Sequence, residues 1–369
     1  MSAAADARLM AAALAYARHG LGETWPNPTV AALVVRDGVI LGRGRTAPGG
    51  RPHAERIALD EAGSAASGAT MIVTLEPCAS RSGRGDGLSC SDAIIAGGIA
   101  RVVIGADDPS PYAAGVGAAR LAAAGIAVTR GVLADEARRL NLGHILRITA
   151  NRPMISLKLA QTADGFAGTA AGGPIMITGP VSALHTHLAR AEADAIMVGI
   201  GTVLGDDPKL NCRLPGLEQR SPHRVVMDGG LRMPLDAYLV RDAGNIPTRI
   251  FARAGADPAK AAALRAAGVD ITEVPVDGAG RLDLAVVLAA LAASGITRLM
   301  VEGGPDLADA LAAADLIDDF TLMTGPLTVG AGKPAVGPDL ARWMASSTVT
   351  RVEETRWGVD RVELFERTR

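Results

Sequence analysis

Aromatic side chains are scarce: three tryptophans, three tyrosines and four phenylalanines make up 3% of 369 residues. A protein that holds single-stranded nucleic acid by stacking bases needs more of them, set in a basic groove. The basic surplus is missing too, because 37 Lys and Arg stand against 39 Asp and Glu, a formal net charge of −2. Neither a nucleic-acid partner nor an anionic membrane surface is expected. Cysteine is equally sparse. Three in so long a chain build no disulfide framework and cannot all pair, so a reducing, cytoplasmic compartment is expected. No uncharged apolar run reaches the ~20 residues of a membrane span. The opening MSAAADARLMAAALAYARHG is broken by Asp6, Arg8 and Arg18, which makes it an amphipathic helix rather than a signal peptide.

Aliphatic material is abundant. Hydrophobic residues are 49% of the chain, enough for the cores of two α/β domains. The hairpin signal Asp37-Gly38 joins two apolar runs, and strand-like ATMIVTLEPC and ARVVIGADD alternate with helix-like PHAERIALDEAG and SCSDAIIAGG. Such alternation favours a three-layer domain. Arg152-Pro153 closes this part, and MISLKLA opens a second alternating series. The expected division is residues 1–148 and 149–369.

Chemistry concentrates in two places. RPHAER (51–56) puts His53 and Glu55 two positions apart, and LEPCASRSGRGDGLSC (75–90) holds Cys78 and Cys90. One imidazole and two thiolates supply three zinc ligands and leave a fourth position open. Zinc so held brings the pKa of water to about 7, and Glu55, beside a ligand but not one itself, is placed to carry protons. His53-Ala54-Glu55 and Pro77-Cys78 match the H-x-E…P-C part of the zinc deaminase signature, although the second cysteine is not at its short spacing.

In the second half, LMVEGGPDLADAL (299–311) reads as strand, Gly-Gly turn and helix start. Its backbone N–H groups either cradle phosphate or form a ligand-free tight turn; it is not the G-x-G-x-x-G fingerprint. VGIGTVLGDDPKLNCR (198–213) reads as ending in a loop with adjacent acids and an arginine, suited to hydroxyl and phosphate groups or simply solvated.

PNPTVAALVVRDG, GRPHAERIAL, GATMIVTLEPC and DAIIAGGIARVVIGADDPSP together resemble the deaminase half of the bifunctional riboflavin-biosynthesis deaminase–reductases. ISLKLAQTADG, ITG, GTVLGDDPKLNCR and VEGGPDLADAL follow in the order of the reductase half. The resemblance implies a cytidine-deaminase-like α/β/α domain, then a dihydrofolate-reductase-like α/β domain. It implies Zn2+, one per chain, on His53, Cys78 and Cys90, with Glu55 catalytic and Asn27 at the pyrimidine. Between its cysteines the family usually carries a shorter segment of the kind HHGRTPPC. This chain has SRSGRGDGLSC, with Arg81 and Arg84 as phosphate contacts or as solvated loop residues. For the reductase it implies NADPH at Thr202, Asp206, Gly304, Pro305, Asp306 and Leu307. The ribosyl-phosphate substrate falls to Arg190, Leu210, Arg213 and Glu302, with Lys158 and Asp164 nearby. Pro174 and Met176 stand where the family often has a serine and a tryptophan. The implied partner is a small pyrimidine ribosyl phosphate; separately, the small, aliphatic helices suit association with further copies of the chain, as dimer or tetramer.

Two other readings fit the residues alone. One is a deaminase of a different small amine, a nucleoside or guanine, fused to an NADPH reductase. The other is a reductase or binding module whose altered cysteine loop has lost deamination.

Overall fold

The computed structural model describes residues 2–80, 87–170, 173 and 175–369. The chain divides into two compact units, Met1–Arg152 and Pro153–Arg369.

In the first unit, α1 (Ala3–Arg18) starts at Ser2, whose side chain accepts the Ala5 N–H. Strands β1 (Ala31–Arg36) and β2 (Val39–Arg45) form a hairpin. Asp37 and Gly38 both take positive φ, 52° and 79°, as a two-residue turn matched to strand twist requires. Then come α2 (Ala54–Ala62), β3 (Thr70–Leu75), α3 (Cys90–Ala96), β4 (Arg101–Ala106), α4 (Val116–Ala123), β5 (Ala127–Arg130), α5 (Ala134–Leu140) and α6 (Leu142–Thr149). The sheet order is β2-β1-β3-β4-β5, with β3, β4 and β5 parallel. β3 is buried almost throughout, as a strand covered on both faces must be. Ala32, Val34, Met71, Val73 and Ile104 fill one side of the sheet, and Met10, Leu33, Ile72 and Val103 the other. Two glycines bring α2 down onto β2. A Cβ at Gly42 would lie 2.3 Å from the Ala58 carbonyl oxygen, and one at Gly44 2.0 Å from that of Ala54. That close approach sets the depth of the α2 N-terminus.

The second unit runs β6 (Met154–Gln161), α7 (Pro180–Ala191), β7 (Ala195–Gly199), α8 (Ile200–Asp206), β8 (His223–Met227), α9 (Tyr238–Arg241), β9 (Thr248–Arg253), α10 (Pro258–Ala266), β10 (Asp270–Val274) and α11 (Leu284–Ala293). It continues with β11 (Arg298–Val301), α12 (Pro305–Ala313), β12 (Asp319–Thr324), α13 (Pro338–Met344), β13 (Val349–Trp357) and β14 (Asp360–Arg367). The nine-stranded order is β10-β9-β8-β7-β11-β6-β12-β14-β13. The strands from β10 to β12 in that order are parallel, and β14 and β13 add an antiparallel edge. The chain builds outward from β7 to β10 and then returns with β11 between β7 and β6. Open α/β sheets bind ligands at the carboxyl ends of strands flanking such a reversal.

One feature differs from the sequence reading. Residues 200–206 are helical, so the expected loop begins only at Asp207. The β13–β14 hairpin carries no apolar alternation in its first strand, because β13 is an exposed edge with charged side chains along it.

Candidate active sites

In the first unit, three chain segments converge at the helix–strand junctions. His53 is the N-cap residue of α2, and Glu55 in its first turn is buried. β3 leads through Leu75, Glu76 and Pro77 to Cys78. The loop is anchored by Glu76, whose carboxylate accepts the N–H groups of Gly115 and Ala118, both at 3.0 Å. Ser89 caps α3 by accepting the Asp92 N–H at 3.2 Å, so Cys90 is presented by the first helical residue. Its N–H donates to Cys78 Sγ at 3.4 Å, and the Ser91 N–H to the Cys78 carbonyl at 3.1 Å.

His53 Nδ1 lies 3.2 Å from Cys90 Sγ and 3.8 Å from Cys78 Sγ. The three ligand atoms lie within 4.8 Å of one another. Tetrahedral zinc with bonds of about 2.0 Å to nitrogen and 2.3 Å to sulfur spaces its ligands by roughly 3.5–3.8 Å, so this triangle fits the ion. The charges agree. Cys78 is drawn down to about 4, first by the hydrogen bond from Cys90 and then by His53. The same contact with Cys78, with burial, pushes Cys90 up. A half-buried and a buried thiol thus compete for one negative charge, a conflict that a dication removes.

These residues open on a cavity of about 580 Å3. Burial is the main cause that raises the Glu55 carboxyl. Asn27 reaches the same cavity, its Nδ2 donating to the Gly50 carbonyl at 3.4 Å. Gly50 has φ 86°, and a Cβ there would fall 1.9 Å from Asn27 Nδ2. Asp108 and His144 form part of the wall, with Nε2 and Oδ1 3.0 Å apart. Burial acts to raise Asp108, but hydrogen bonds from His144 and the Ser110 N–H outweigh it and hold the carboxyl below its usual range.

In the second unit, parallel pairing of β11 with β6 sets Val301 against Leu157. The next residues, Glu302 and Lys158, share the carboxyl edge of the sheet. Arg190, in the last turn of α7, pairs with Glu302 through two hydrogen bonds of 2.6 and 2.9 Å. It also donates to the Asn211 carbonyl at 3.0 Å. Arg213 donates to Asn211 Oδ1 at 2.8 Å and, through its N–H, to His187 Nδ1 at 3.3 Å. Burial pushes the Lys158 ammonium down, against the pull of Glu302. Burial pushes Glu302 up, but Arg190 outweighs it and keeps the carboxylate ionised.

A second cavity, of about 890 Å3, opens at the carboxyl ends of β7, β8 and β9. It is lined by Gly199, Gly201, Gly229 and Gly230 and by the first turn of α12. Nothing lies within 4 Å of a Cβ built at Gly199, Gly201 or Gly304. The backbone at these glycines can therefore be approached closely by a ligand, and the volume is that of a pocket for a sizeable one. The residues fit a dinucleotide.

Residues 3–106 match the cytidine and deoxycytidylate deaminase zinc-binding region, and residues 153–357 match the RibD C-terminal domain. The riboflavin biosynthesis protein RibD of Aquifex aeolicus is 37% identical over 98% of both chains. The chain belongs to the RibD family. RibD of Escherichia coli is 38% identical, over 88% of this chain and 89% of its own length. The structure of Acinetobacter baumannii RibD superposes with a TM-score of 0.86 at 30% identity, covering both chains fully. A diaminohydroxyphosphoribosylaminopyrimidine deaminase/5-amino-6-(5-phosphoribosylamino)uracil reductase from Thermotoga maritima gives 0.85 at 29%. RibD proteins are bifunctional deaminases and reductases of riboflavin biosynthesis, and this chain is one. Its deaminase unit takes zinc, and its RibD C-terminal unit takes NADPH. Among the described residues no helix is long and apolar enough to cross a membrane.

Against this RibD background, the structure brings most of the expected residues together. His53, Glu55, Cys78, Cys90 and Asn27 share one cavity. Arg190, Glu302 and Arg213 join through Asn211, and Leu210 is the buried neighbour of that residue. Gly304 and Pro305 stand at the start of α12, and Asp306 and Leu307 line the second cavity. Thr202 and Asp206 do not line it, since α8 carries them past its mouth and leaves Asp206 exposed. Asp164 accepts the N–H groups of Val329 and Gly330 and so ties two loops together. Arg81, Arg84 and Pro174 lie outside the described residues, and Met176 is exposed. The sequence reading missed Arg56, His144 and His187. Arg56 has a helical signal, one position past Glu55, whereas the histidines reach their sites only by tertiary packing.

Proposed function

We propose that the first unit deaminates 2,5-diamino-6-ribosylamino-4(3H)-pyrimidinone 5′-phosphate. The second unit then reduces the ribosyl group of 5-amino-6-(5-phosphoribosylamino)uracil to ribityl with NADPH. The observation that carries this is the His53–Cys78–Cys90 triangle with the buried Glu55 carboxyl in one cavity, in a chain that also holds the Arg190–Glu302 pair.

His53 Nδ1 and the two Sγ atoms would hold a zinc ion, and the chemistry it would supply when bound is a water acidified enough to serve as nucleophile. Glu55, buried in the same cavity, takes up a proton from the attacking water. It passes a proton to the ring nitrogen and one to the departing amine, so that C–NH2 and water become C=O and NH3. Asn27, braced on Gly50, orients the pyrimidine. Arg81 and Arg84, in the segment where this chain departs from the family, remain either phosphate contacts or solvated loop residues and lie outside the described residues. Among the described residues, Arg56 lines the same rim with no side-chain hydrogen bond or ion pair, its guanidinium 3.6 Å from where a Cβ on Gly87 would stand. It is the free cation best placed for the phosphate.

In the second unit, Glu302 and Arg190 hold the ribosyl hydroxyls, with Leu210 closing the floor and Arg213 at the phosphate. Hydride chemistry belongs to NADPH, held at the Gly304–Leu307 turn, with Thr202 and Asp206 outside that cavity, and the residues supply orientation. Self-association as a dimer or tetramer belongs to the same reading. Val181, Leu184 and Leu188 lie exposed at helical spacing on one side of α7, a pattern that favours burial against another copy; light scattering checks it. Three free cysteines support a reducing cytoplasm.

The test supplies the diamino substrate with and without NADPH. Ammonia released in both cases, and NADPH consumed only after deamination, is the expected result. Ammonia from cytidine or guanine instead would replace the substrate assignment.

Two variants probe the first cavity. Gly50→Ala is expected to lower deaminase kcat/KM at least ten-fold, because the new methyl displaces Asn27. Reductase activity, measured on the deaminated compound, stays unchanged. Arg56→Gln should raise KM for the phosphorylated substrate about ten-fold or more with little change in kcat, the loss of one charge-assisted contact. An unaltered KM would remove Arg56 from the site.

A further inference from the structure

The second cavity has a cationic end that none of the family-derived contacts uses. Arg232 follows β8 in the loop that contains Gly229 and Gly230, and Arg253 is the last residue of β9. The two are tied together by the backbone, where the Arg253 N–H donates to the Gly229 carbonyl at 3.1 Å. Both side chains line the cavity. Neither guanidinium has a hydrogen-bond or ion-pair partner among the described residues.

The acids of the same cavity are all engaged. Asp283 caps α11 by accepting the N–H groups of Ala285 and Val286 at 2.9 and 3.2 Å. Asp277 accepts the Ala279 and Arg281 N–H groups at 2.8 and 2.9 Å and pairs with the Arg281 guanidinium at 3.4 Å. Asp306 pairs with Lys333 at 2.5 Å. What remains is a pair of uncommitted cations at one end and the open first turn of α12 at the other. A ligand that satisfies both carries two separated anionic groups.

NADPH has that pattern: a pyrophosphate in its middle and a further phosphate on the adenosine ribose. We propose that Arg232 and Arg253 form the seat of the 2′-phosphate and so make this reductase select NADPH over NADH. The proposal rests on the NADPH reading above. With the pyrophosphate at the start of α12 and the nicotinamide toward Lys158 and Glu302, the adenosine falls between β8 and β9. Gly229 and Gly230 leave its ribose room beside the guanidinium groups. An arginine at the adenosine ribose is a common means of accepting this phosphate, and guanidinium grips a phosphate through paired N–H donors.

The test is calorimetric binding to the full chain, with adenosine 2′,5′-bisphosphate and 5′-AMP as probes. Wild type is expected to bind the bisphosphate at least ten-fold more tightly, with a preference that shrinks as salt rises. Arg232→Gln with Arg253→Gln should bind the two nucleotides alike, with 5′-AMP affinity and melting temperature unaltered. A double variant that keeps the preference overturns the proposal while leaving NADPH in the cavity. Wild type that binds NADPH but shows no preference for the bisphosphate overturns it as well. Wild type that binds neither the probes nor NADPH overturns both this proposal and the NADPH reading.

Discussion

Glu55→Gln is expected to lower deaminase kcat by about 10²–10⁴-fold, the usual weight of a positioned general acid–base. Glutamine keeps the volume and one acceptor oxygen of the buried side chain but carries no proton between water, ring nitrogen and amine. The three ligand atoms are untouched, so zinc content should stay at wild-type level. The reductase, 247 residues further along at Glu302, should run at full rate on deaminated substrate supplied from outside. Ammonia release with and without added reductase substrate, beside elemental analysis, decides the matter. Deamination within a few-fold of wild type would show that another group moves the proton; the buried Asp108–His144 pair in the same cavity would then be next to replace.

Cys90→Ala carries the second large effect. In the wild type about one zinc per chain is expected on His53, Cys78 and Cys90. Removing Cys90 leaves one thiolate and one imidazole, and structural and catalytic zinc sites in proteins hold the ion by three or four protein ligands. Zinc should fall to a small fraction of one per chain after dialysis, and deamination should fall with it. Cys90 is also a buried residue packed at the start of α3, so some stability is lost through the small cavity. Reductase activity, which resides in the other compact unit, reports whether the chain as a whole survives. Zinc retained at one per chain would mean that a group other than Cys90 closes the triangle. Cys90 and the eleven residues that separate it from Cys78 would then be no part of the site.

The legible part of this chain and the illegible part differ for a physical reason. His53 and Glu55 lie within one turn of one helix, and Cys78 and Cys90 stand at the ends of one loop. Local geometry alone places each pair, so motif spacing was sufficient to find them. Gly42 and Gly44, which bring α2 against β2, look in the sequence like ordinary weak points of a strand; the close approach of two backbones shows their use. Asn27 is legible only as a turn residue before Pro28, and its place in the cavity depends on Gly50, 23 positions later.

The second unit shows the same division more strongly. The turn before α12 announces itself as Gly303-Gly304-Pro305. Asp206 is expected in the loop of adjacent acids, but apolar Ile200 and Val203 bury themselves in a helix that runs through it, and its axis takes Asp206 into solvent. Arg190, Asn211 and Glu302 are separated by 21 and 112 positions from their partners. No periodicity links them. Their meeting follows from the return of β11 between β7 and β6, a choice of strand order that hydrophobic pattern leaves free because every central strand of a parallel sheet is apolar on both faces.

By itself the sequence determined the two α/β units, the pairs His53–Glu55 and Cys78–Cys90, and the Gly303-Gly304-Pro305 turn before α12, since each of these is written in residues close together in the chain. Only the tertiary structure decided which arginines are engaged and which are free. Arg190 is spent on Glu302 and Arg281 on Asp277, whereas Arg56, Arg232 and Arg253 face cavities without a partner among the described residues. A guanidinium reaches charges from any part of the chain, so its use is settled by what the fold sets beside it.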